Sequence, residues 1–596
     1  MASKDGVPAS PMPRIGAYLR PYKLLLAGGT ACLLLTNLAA VGVPWALQRG
    51  IDALRQPNAL ADARTAALLI AAFALAQAVI RIVSRVTVFN AGRNVEYDLR
   101  GQLLDKLLSL PPSYYRTHPT GDLMSRLTND LAAVRVMFGF GILNVVNTLF
   151  IYSLVLWRMV ALDGRLTLLS LLPYPTLILA GRAFGRVMFA QSRAVMEHLG
   201  TMSTAAQEDF SGIAMIKHYA LEDVRGKNFE RLCAQFVAKN MKLVRTRGVM
   251  WPIMGLLSAL GTLIVLWAGG RAVIVGRLTL GQFAAFNMYL VQLAWPTLAF
   301  GFIITVLQRG LASWERLREI LTAEVTLHDG TGDGIAHADV RGAMETRNLT
   351  LELGGTKVLD GVSIKVPAGS TLAIVGRTGC GKSTLAEALA RLTEVPDGTV
   401  FLDGRDVNTL PLDAVRGAVG YAPQEAFLFS TTIRENIELG QRSADGQRWE
   451  LAQLIGAAGL TRDIAGFPAG VETVVGERGI TLSGGQRQRV ALARALATAP
   501  RVLILDDSLS SVDAETEREI LTGLRRMLAG RTAVIISHRV AAVQHADQIL
   551  VLEEGRIAEQ GRHAELVARG GIYAELYQRQ LLAEEIEQAP AVAVQQ

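Results

Sequence analysis

The chain has 596 residues, too many for a single hydrophobic core, so several domains are expected. Half of its residues are hydrophobic and the mean hydropathy is +0.29, which excludes an ordinary soluble enzyme of this size. The formal charge of +7 reads as the arginine-rich flanks of membrane-spanning segments rather than a nucleic-acid surface, because no basic patch carries interleaved aromatics.

Residues 1–12 are polar and proline-containing and are expected to be disordered. Arg14 to Lys23 is short, basic and carries Tyr18 and Tyr22, the pattern of an interfacial helix on the cytoplasmic face. No cleavable signal with a small-residue exit site is present, so the first apolar segment is expected to stay in the protein. Crossing roughly 30 Å of hydrocarbon takes about 20 apolar residues. Six stretches meet that need: Leu24 to Gln48, Thr65 past Arg81 and Arg85 toward Phe89, Val136 to Trp157, Leu166 to Gly181, Gly248 to Gly270, and Gly281 to Gln308.

The connections after the first, third and fifth spans are short, whereas those after the second and fourth (90–135 and 183–247) are long, charged and still helical in pattern. At roughly 1.5 Å per residue, such excursions project tens of ångströms from the membrane and return, as helical extensions that would carry motion to a cytoplasmic motor. Each holds a compact break, Pro111 to Asp130 in the first and Gln207 to Tyr219 in the second. Arg81, Arg85, Arg158 and Arg182 lie near span ends and are expected to snorkel to the interface. Trp295-Pro296 predicts a kink in the sixth span facing a cavity. The three cysteines, Cys32, Cys233 and Cys380, show neither metal nor disulfide spacing.

From Gln308 the composition turns amphipathic and then glycine-rich, so a linker is expected over 311–341. Beyond it, alternating strand and helix patterns to about residue 587 predict an α/β domain, followed by a disordered tail over 588–596. The fold class expected is therefore an all-α membrane domain of six helices (13–310) fused to an α/β nucleotide-binding domain (342–587).

One stretch organises the second half. The apolar strand Leu372 to Val375 runs into Gly376-Arg377-Thr378-Gly379-Cys380-Gly381-Lys382-Ser383-Thr384 and then a helix, the P-loop in its required context. Its glycines let backbone N–H groups cradle a phosphate chain, with a helix N-terminus aimed at the same point. Lys382 is placed for the β- and γ-phosphates and Ser383 for Mg²⁺, so the chain is expected to bind a nucleoside triphosphate. Four further stretches follow in order: Gly420 to Gln424, Leu482-Ser483-Gly484-Gly485-Gln486 opening a basic helix, Val502 to Asp506-Asp507, and Val534 to Ser537-His538. Asp506 ends a buried strand, as a Mg²⁺–triphosphate site needs; Asp507 is placed to polarise a water and His538 to report the γ-phosphate.

On these residues the chain resembles the ATP-binding cassette (ABC) exporters over nearly its whole length, as a type I half-transporter. The resemblance makes Gly376–Thr384 the Walker A loop, Gln424 the Q-loop glutamine (a Mg²⁺ ligand with Ser383 and Asp506, partly through water) and Leu482–Gln486 the signature. It makes Asp506 the Walker B aspartate, Ser511 to Asp513 the D-loop and His538 the switch histidine. Thr473 to Gly479, with Glu477, matches the segment near the membrane-domain contact. The two breaks match coupling helices, with Tyr115, Gly121, Asp122, Glu208 and Gly212 at their positions. The family implies two such domains sandwiching two ATP molecules, each held between one chain's Walker A loop and the other's signature.

Two positions depart from the family pattern. Asp507 stands where a catalytic glutamate is usual, drawing the carboxylate back by about one bond. Leu353 stands where an aromatic stacks on the base, and no aromatic lies between Met344 and Gly355. An intact signature beside Asp507 is similar to the weak-site chain of heterodimeric exporters, whose partner is a different half-transporter with an intact glutamate; drift within a homodimer is the alternative. The resemblance implies ATP-driven export of hydrophobic or amphipathic cargo across a bacterial cytoplasmic membrane, in contact with lipid and with no nucleic acid. A homodimeric lipid flippase and a nucleotide-gated channel or regulatory subunit are the rival readings.

Overall fold

A computed structural model describes residues 15–54, 59–330, 332, 339–441, 449–527 and 529–588. The termini expected to be disordered lie almost wholly outside these residues. The chain divides into two compact units, one of residues 1–108 and 120–323 and a second of 109–119 and 324–596.

Among its described residues the first unit holds six long apolar helices, Ile15–Ala53, Leu60–Ser109, Thr120–Leu162, Gly164–Ser211, Glu222–Ile274 and Leu280–Thr322, each containing one of the six expected spans. The expected interfacial segment is a 3-10 helix, Ile15–Tyr22, whose Tyr22 hydroxyl donates to Asp98 (2.6 Å). Span ends are set by local chemistry. Asp163 leaves the helical region at φ −159° and its Oδ1 accepts from Leu166 N (3.0 Å), so the third span stops and the fourth starts across one residue. The sixth opens on a capping box in which Thr279 and Gln282 bond reciprocally, while Asp52 accepts from Thr279 Oγ1 and Gly281 N at 2.9 Å each. That helix continues to Thr322, through the amphipathic start of the stretch expected as linker.

Both expected breaks are short helices that follow long ones in the chain. Pro112–Thr117 follows the second long helix, with Pro111 as its extended N-cap, and Ile213–His218 follows Ser211. Packing within the unit centres on Val155, Met159, Phe286, Tyr289 and Leu293, all buried. Within a bilayer such contacts stabilise through close van der Waals packing rather than through removal from water.

The second unit is built on two sheets. β1 (Met344–Leu353), β2 (Thr356–Val366), β4 (Val400–Leu402) and β5 (Arg405–Asp406) form an antiparallel sheet in the order β2-β1-β4-β5. β3 (Thr371–Val375), β6 (Val419–Ala422), β7 (Val502–Asp506), β8 (Thr532–Ile536), β9 (Gln548–Glu553) and β10 (Arg556–Gly561) form the second, in the order β10-β9-β3-β8-β7-β6. Apart from β10 its strands are parallel. β3 and β7 are apolar without alternation because helices cover both faces, as parallel sheets require. Ile374, Leu389, Ile504, Val534 and Leu550 fill its core.

Candidate functional site

Register decides where the chemistry emerges. Ile374 of β3 pairs with Ile536 of β8, and Ile536 pairs with Asp506 of β7. These three residues form one row across adjacent parallel strands. The phosphate loop, Asp507 and Ser537-His538 therefore leave the sheet together from its carboxyl edge, where open α/β sheets place ligands.

After Val375 the chain turns through Gly376–Gly381 into the helix Lys382–Leu389. Gly376, Gly379 and Gly381 have φ of +152°, +82° and +101°, which only glycine adopts cheaply. Space adds a second constraint: a Cβ at Gly376 would lie 2.2 Å from the Leu552 carbonyl oxygen, and one at Gly381 would lie 2.7 Å from that of Val358. The loop is thus pressed against its neighbours while Arg377, Thr378 and Gly379 stay exposed. Cys380 is buried inside it, and Thr384 lies half-buried in the first turn of the helix. Lys382 is 6% exposed, and its Nζ donates to the carbonyls of Gly376 (2.9 Å) and Arg377 (2.8 Å).

Ser383 Oγ donates to Asp506 Oδ1 at 3.1 Å, and the Tyr421 hydroxyl donates to Asp506 Oδ2 at 3.2 Å. Burial pushes the Asp506 carboxyl above the usual range, these two hydrogen bonds pull it back, and the negative charges of Asp507 and Glu387 add to the rise. Tyr421 is itself pushed up, first by burial and then by the charges of Asp506 and Glu387. A hydroxyl and a carboxylate this close are hard oxygen donors suited to Mg²⁺, which keeps most of its remaining ligands as phosphate and water. Bound there with a triphosphate, the ion neutralises charge on the phosphate oxygens.

Asp507 is 8% exposed with φ +46°, a left-handed backbone that aspartate tolerates better than most residues. Its N–H donates to the Ile536 carbonyl (2.9 Å) and its carbonyl accepts from Ser510 N (3.2 Å), which pins it between the ends of β7 and β8. Ser537 Oγ accepts from Arg539 N (3.0 Å), and the next side chain, His538, is exposed.

Other expected residues are not joined to this cluster. Gln424 is exposed, and among the described residues no hydrogen bond links its side chain to Ser383 or Asp506; only its carbonyl is held, by Gln488 Nε2 (3.3 Å). Leu353 lies half-buried at the end of β1, before the Gly354-Gly355 turn. Glu477 is exposed on a 3-10 turn.

The signature segment opens a different helix, Gly484–Ala497. Ser483 caps it: Ser483 Oγ accepts from Gln486 N (3.2 Å), and Gln486 Oε1 accepts from Ser483 N (2.9 Å). Leu482 is buried as the anchor, Gln486 Nε2 donates to Asp463 (2.9 Å), and a Cβ at Gly485 would lie 2.8 Å from the Ser511 carbonyl oxygen. Ser483 remains exposed, and among the described residues no hydrogen bond ties Leu482–Gln486 to the phosphate loop.

The sequence reading missed Gln488, Arg539 and Tyr421. Gln488, 6% exposed, donates to the Gln424 carbonyl and to Ser510 Oγ (3.2 Å), and its Oε1 accepts from Ser511 N (3.1 Å). Arg539 donates to the Val512 carbonyl (2.8 Å) and to Glu517 (2.6 Å). Both hold the D-loop in shape. Its place one helical turn beyond Gly484, on the face shared with buried Leu492, was the available signal for Gln488. Tyr421 carried none, because only strand order sets β6 beside β7.

The coupling positions divide between the units. In the second, Ser109–Pro119 packs with the α/β domain, and Arg116 pairs with Glu387 at 2.5 Å on the phosphate-loop helix. Tyr115 sits beside Tyr114, whose ring stacks on His118 at 4.0 Å. In the first, Asp122 accepts from Arg126 Nε (2.8 Å) and Glu319 from Arg126 Nη1 (2.7 Å), while Gly121 stays open. Glu208 lies 3.8 Å from Arg225, and its carbonyl accepts from Gly212 N (2.8 Å).

Comparison with known proteins matches residues 26–297 to the ABC transporter transmembrane region and 359–510 to the ABC transporter model. The chain is 36% identical to YheI of Bacillus subtilis (strain 168), a probable multidrug resistance ABC transporter ATP-binding/permease protein, over 96% of this chain and 98% of that one. It is 34% identical to the multidrug resistance-like ATP-binding protein MdlA of Escherichia coli (strain K12), covering 86% of each. It is 32% identical to the ATP-dependent lipid A-core flippase of Nitrosococcus oceani, covering 95% of each. Among solved structures, a bacterial Atm1-family ABC exporter with ATP bound superposes with a TM-score of 0.77 at 26% identity, over 94% of this chain and 99% of that one.

Proposed function

The chain belongs to the ABC transporters, and from that membership we propose that it is one half of a dimeric exporter for hydrophobic or amphipathic cargo, multidrug or lipid-like, in a bacterial cytoplasmic membrane. It is a multi-pass membrane protein whose ATPase domain drives transport. The observation that carries the dimer is the separation of the site's two parts. Lys382, Ser383 and Asp506 gather at one sheet edge, while among the described residues the capped, exposed start of the helix Gly484–Ala497 has no hydrogen bond to them. A second chain's signature completes each site in this reading.

The roles follow. Lys382 and the loop N–H groups hold the β- and γ-phosphates, and Ser383 and Asp506 hold Mg²⁺, with Gln424 reaching it through water. Asp507 orients the attacking water, and His538 contacts the γ-phosphate. Ser483 and the N–H groups behind it meet the partner chain's nucleotide. Closure of the domains passes to the spans through the segments at 111–130 and 207–219.

Asp507 supports a heterodimer in which this chain's own site hydrolyses slowly and the partner supplies a glutamate. Asp507 and Leu353 together also favour a second reading, a regulatory or channel subunit that binds ATP and turns it over little. A tag on this chain, used to isolate the complex from native membranes, tests the first. A different chain of similar size, with glutamate at the matching position, is the expected result. Recovery of this chain alone would leave both sites with Asp507 and end the asymmetric account.

A further inference from the structure

The membrane unit contains a cavity of about 300 Å³, the lower end of ligand pockets (about 300–1,000 Å³) and enough for one headgroup. Its walls include Asn37, Asn147, Trp295, Gln292, Arg81 and Arg85. Asn37 lies near the middle of the uncharged run 24–48, Asn147 near the middle of 136–157, and Trp295 near the middle of 281–308. The cavity therefore sits at mid-membrane depth.

Arg81 belongs at that depth as well, with Arg85 on the cytoplasmic side of it. A Cβ at Gly29 would meet Val88 at 2.6 Å and one at Gly42 would meet Phe73 at 3.0 Å, so the second span descends antiparallel to the first. Interpolation sets Arg81 level with Leu35 and Thr36, and Arg85 about one turn nearer the cytoplasm. For Arg81 this replaces the expectation that it snorkels: from the midplane the interface is about 15 Å away, well beyond the reach of an arginine stem. The pair is also costly by itself: like charges one turn apart on a helix repel, and charge within a membrane marks function by default. Among the described residues neither guanidinium has a carboxylate partner, and no Asp or Glu occurs in 24–48, 65–89, 136–157 or 281–308.

We propose that this cavity receives the anionic headgroup of an amphiphile, a phosphate or carboxylate held by Arg81 and Arg85. Gln292 Oε1, buried in the wall without a hydrogen-bond partner among the described residues, adds an acceptor for a hydroxyl beside the anion. The headgroup supplies the counter-charge the spans lack, while its tail remains among apolar side chains. The inference rests on the exporter reading and narrows its cargo from hydrophobic compounds in general to anionic ones.

The test is binding without ATP, on the full-length complex in phosphatidylcholine nanodiscs, with bound lipid counted by native mass spectrometry. Oleoyl lysophosphatidate and oleoyl monoglyceride differ only by the phosphate, and inorganic phosphate serves as competitor. The phosphorylated lipid is expected to bind at least about tenfold more tightly, a preference lost in Arg81→Gln/Arg85→Gln and restored in Arg81→Lys/Arg85→Lys. Displacement only at large excess of inorganic phosphate assigns the site to a lipid-like headgroup; displacement at equal concentration assigns it to a free anion, and overturns the amphiphile. Equal binding of the two lipids, or an unchanged preference in the glutamine variant, overturns the anion site itself. ATP-driven accumulation of the lysophosphatidate, read separately, reports on the exporter reading. Its absence beside selective binding would sink that reading and leave the anion site standing.

Discussion

Asp507 carries the most consequence of any single residue. Its backbone is left-handed at φ +46° and is held by Ile536 and Ser510, so the main chain is fixed and only side-chain length is free to change. Asp507→Glu advances the carboxylate by about one bond, and we predict that ATP turnover at this chain's own site rises at least about tenfold. The left-handed backbone suits glutamate less, so stability falls by under about 1 kcal/mol. Single-turnover hydrolysis and thermal unfolding of the same variant check both halves. Gln488 is the counterpart that the sequence hid. Gln488→Leu strips partners from the Gln424 carbonyl, Ser510 and Ser511 at once. Turnover is predicted to drop about tenfold while nucleotide affinity changes by less than about threefold, since the phosphate loop is untouched. Equal losses in both would make Gln488 a stability residue only. Residues whose role follows from motif spacing, such as Lys382, Ser383 and Asp506, were legible in the sequence because chain order fixes them. Gln488, Arg539 and Tyr421 were not, because their partners lie 22 to 85 residues away.

Among elements, the start of the helix Gly484–Ala497 has two jobs that substitution can separate. Ser483 both caps the helix and, in the proposed dimer, faces a phosphate. Ser483→Ala removes the cap, at a cost of about 1 kcal/mol, and is predicted to lower turnover. Ser483→Asp restores a good cap but sets a carboxylate toward the triphosphate, so stability recovers while turnover falls further, by about a hundredfold or more. If turnover recovered with stability, Ser483 would be a cap and nothing else. The short helix Pro112–Thr117 carries a second test. The Arg116–Glu387 pair is partly exposed, so its loss costs stability under about 1 kcal/mol. Because Glu387 lies on the phosphate-loop helix, Arg116→Glu is predicted to lower transport several-fold more than ATPase activity, a ratio measured in the same proteoliposomes. Element boundaries followed local signals: Pro111, Asp163 and Thr279 each stop or cap a helix where a residue-level rule says it should. The extent of the helices did not follow hydropathy. The helix holding the fourth span runs Gly164–Ser211, well past the apolar run, because charged residues continue its pattern outside the membrane.

For the whole molecule, apolar runs of about membrane length pointed to the six spans, and alternating strands and helices to the α/β domain. The assignment of Ser109–Pro119 to the second unit was hidden, since nothing local marks which body a short helix joins. The depth of Arg81 was hidden for a related reason: it depends on how the first two spans align, which neither run states alone. The central claim is that ATP bound at Gly376–Thr384 drives cargo uphill through the six spans. The most direct measurement is accumulation of a fluorescent amphiphile in sealed inside-out vesicles holding the complete complex, with and without ATP, for the native chain and for Lys382→Ala. The account predicts ATP-dependent accumulation above the external concentration, reduced about tenfold or more by Lys382→Ala. Equilibration without accumulation, or accumulation indifferent to Lys382, would contradict it.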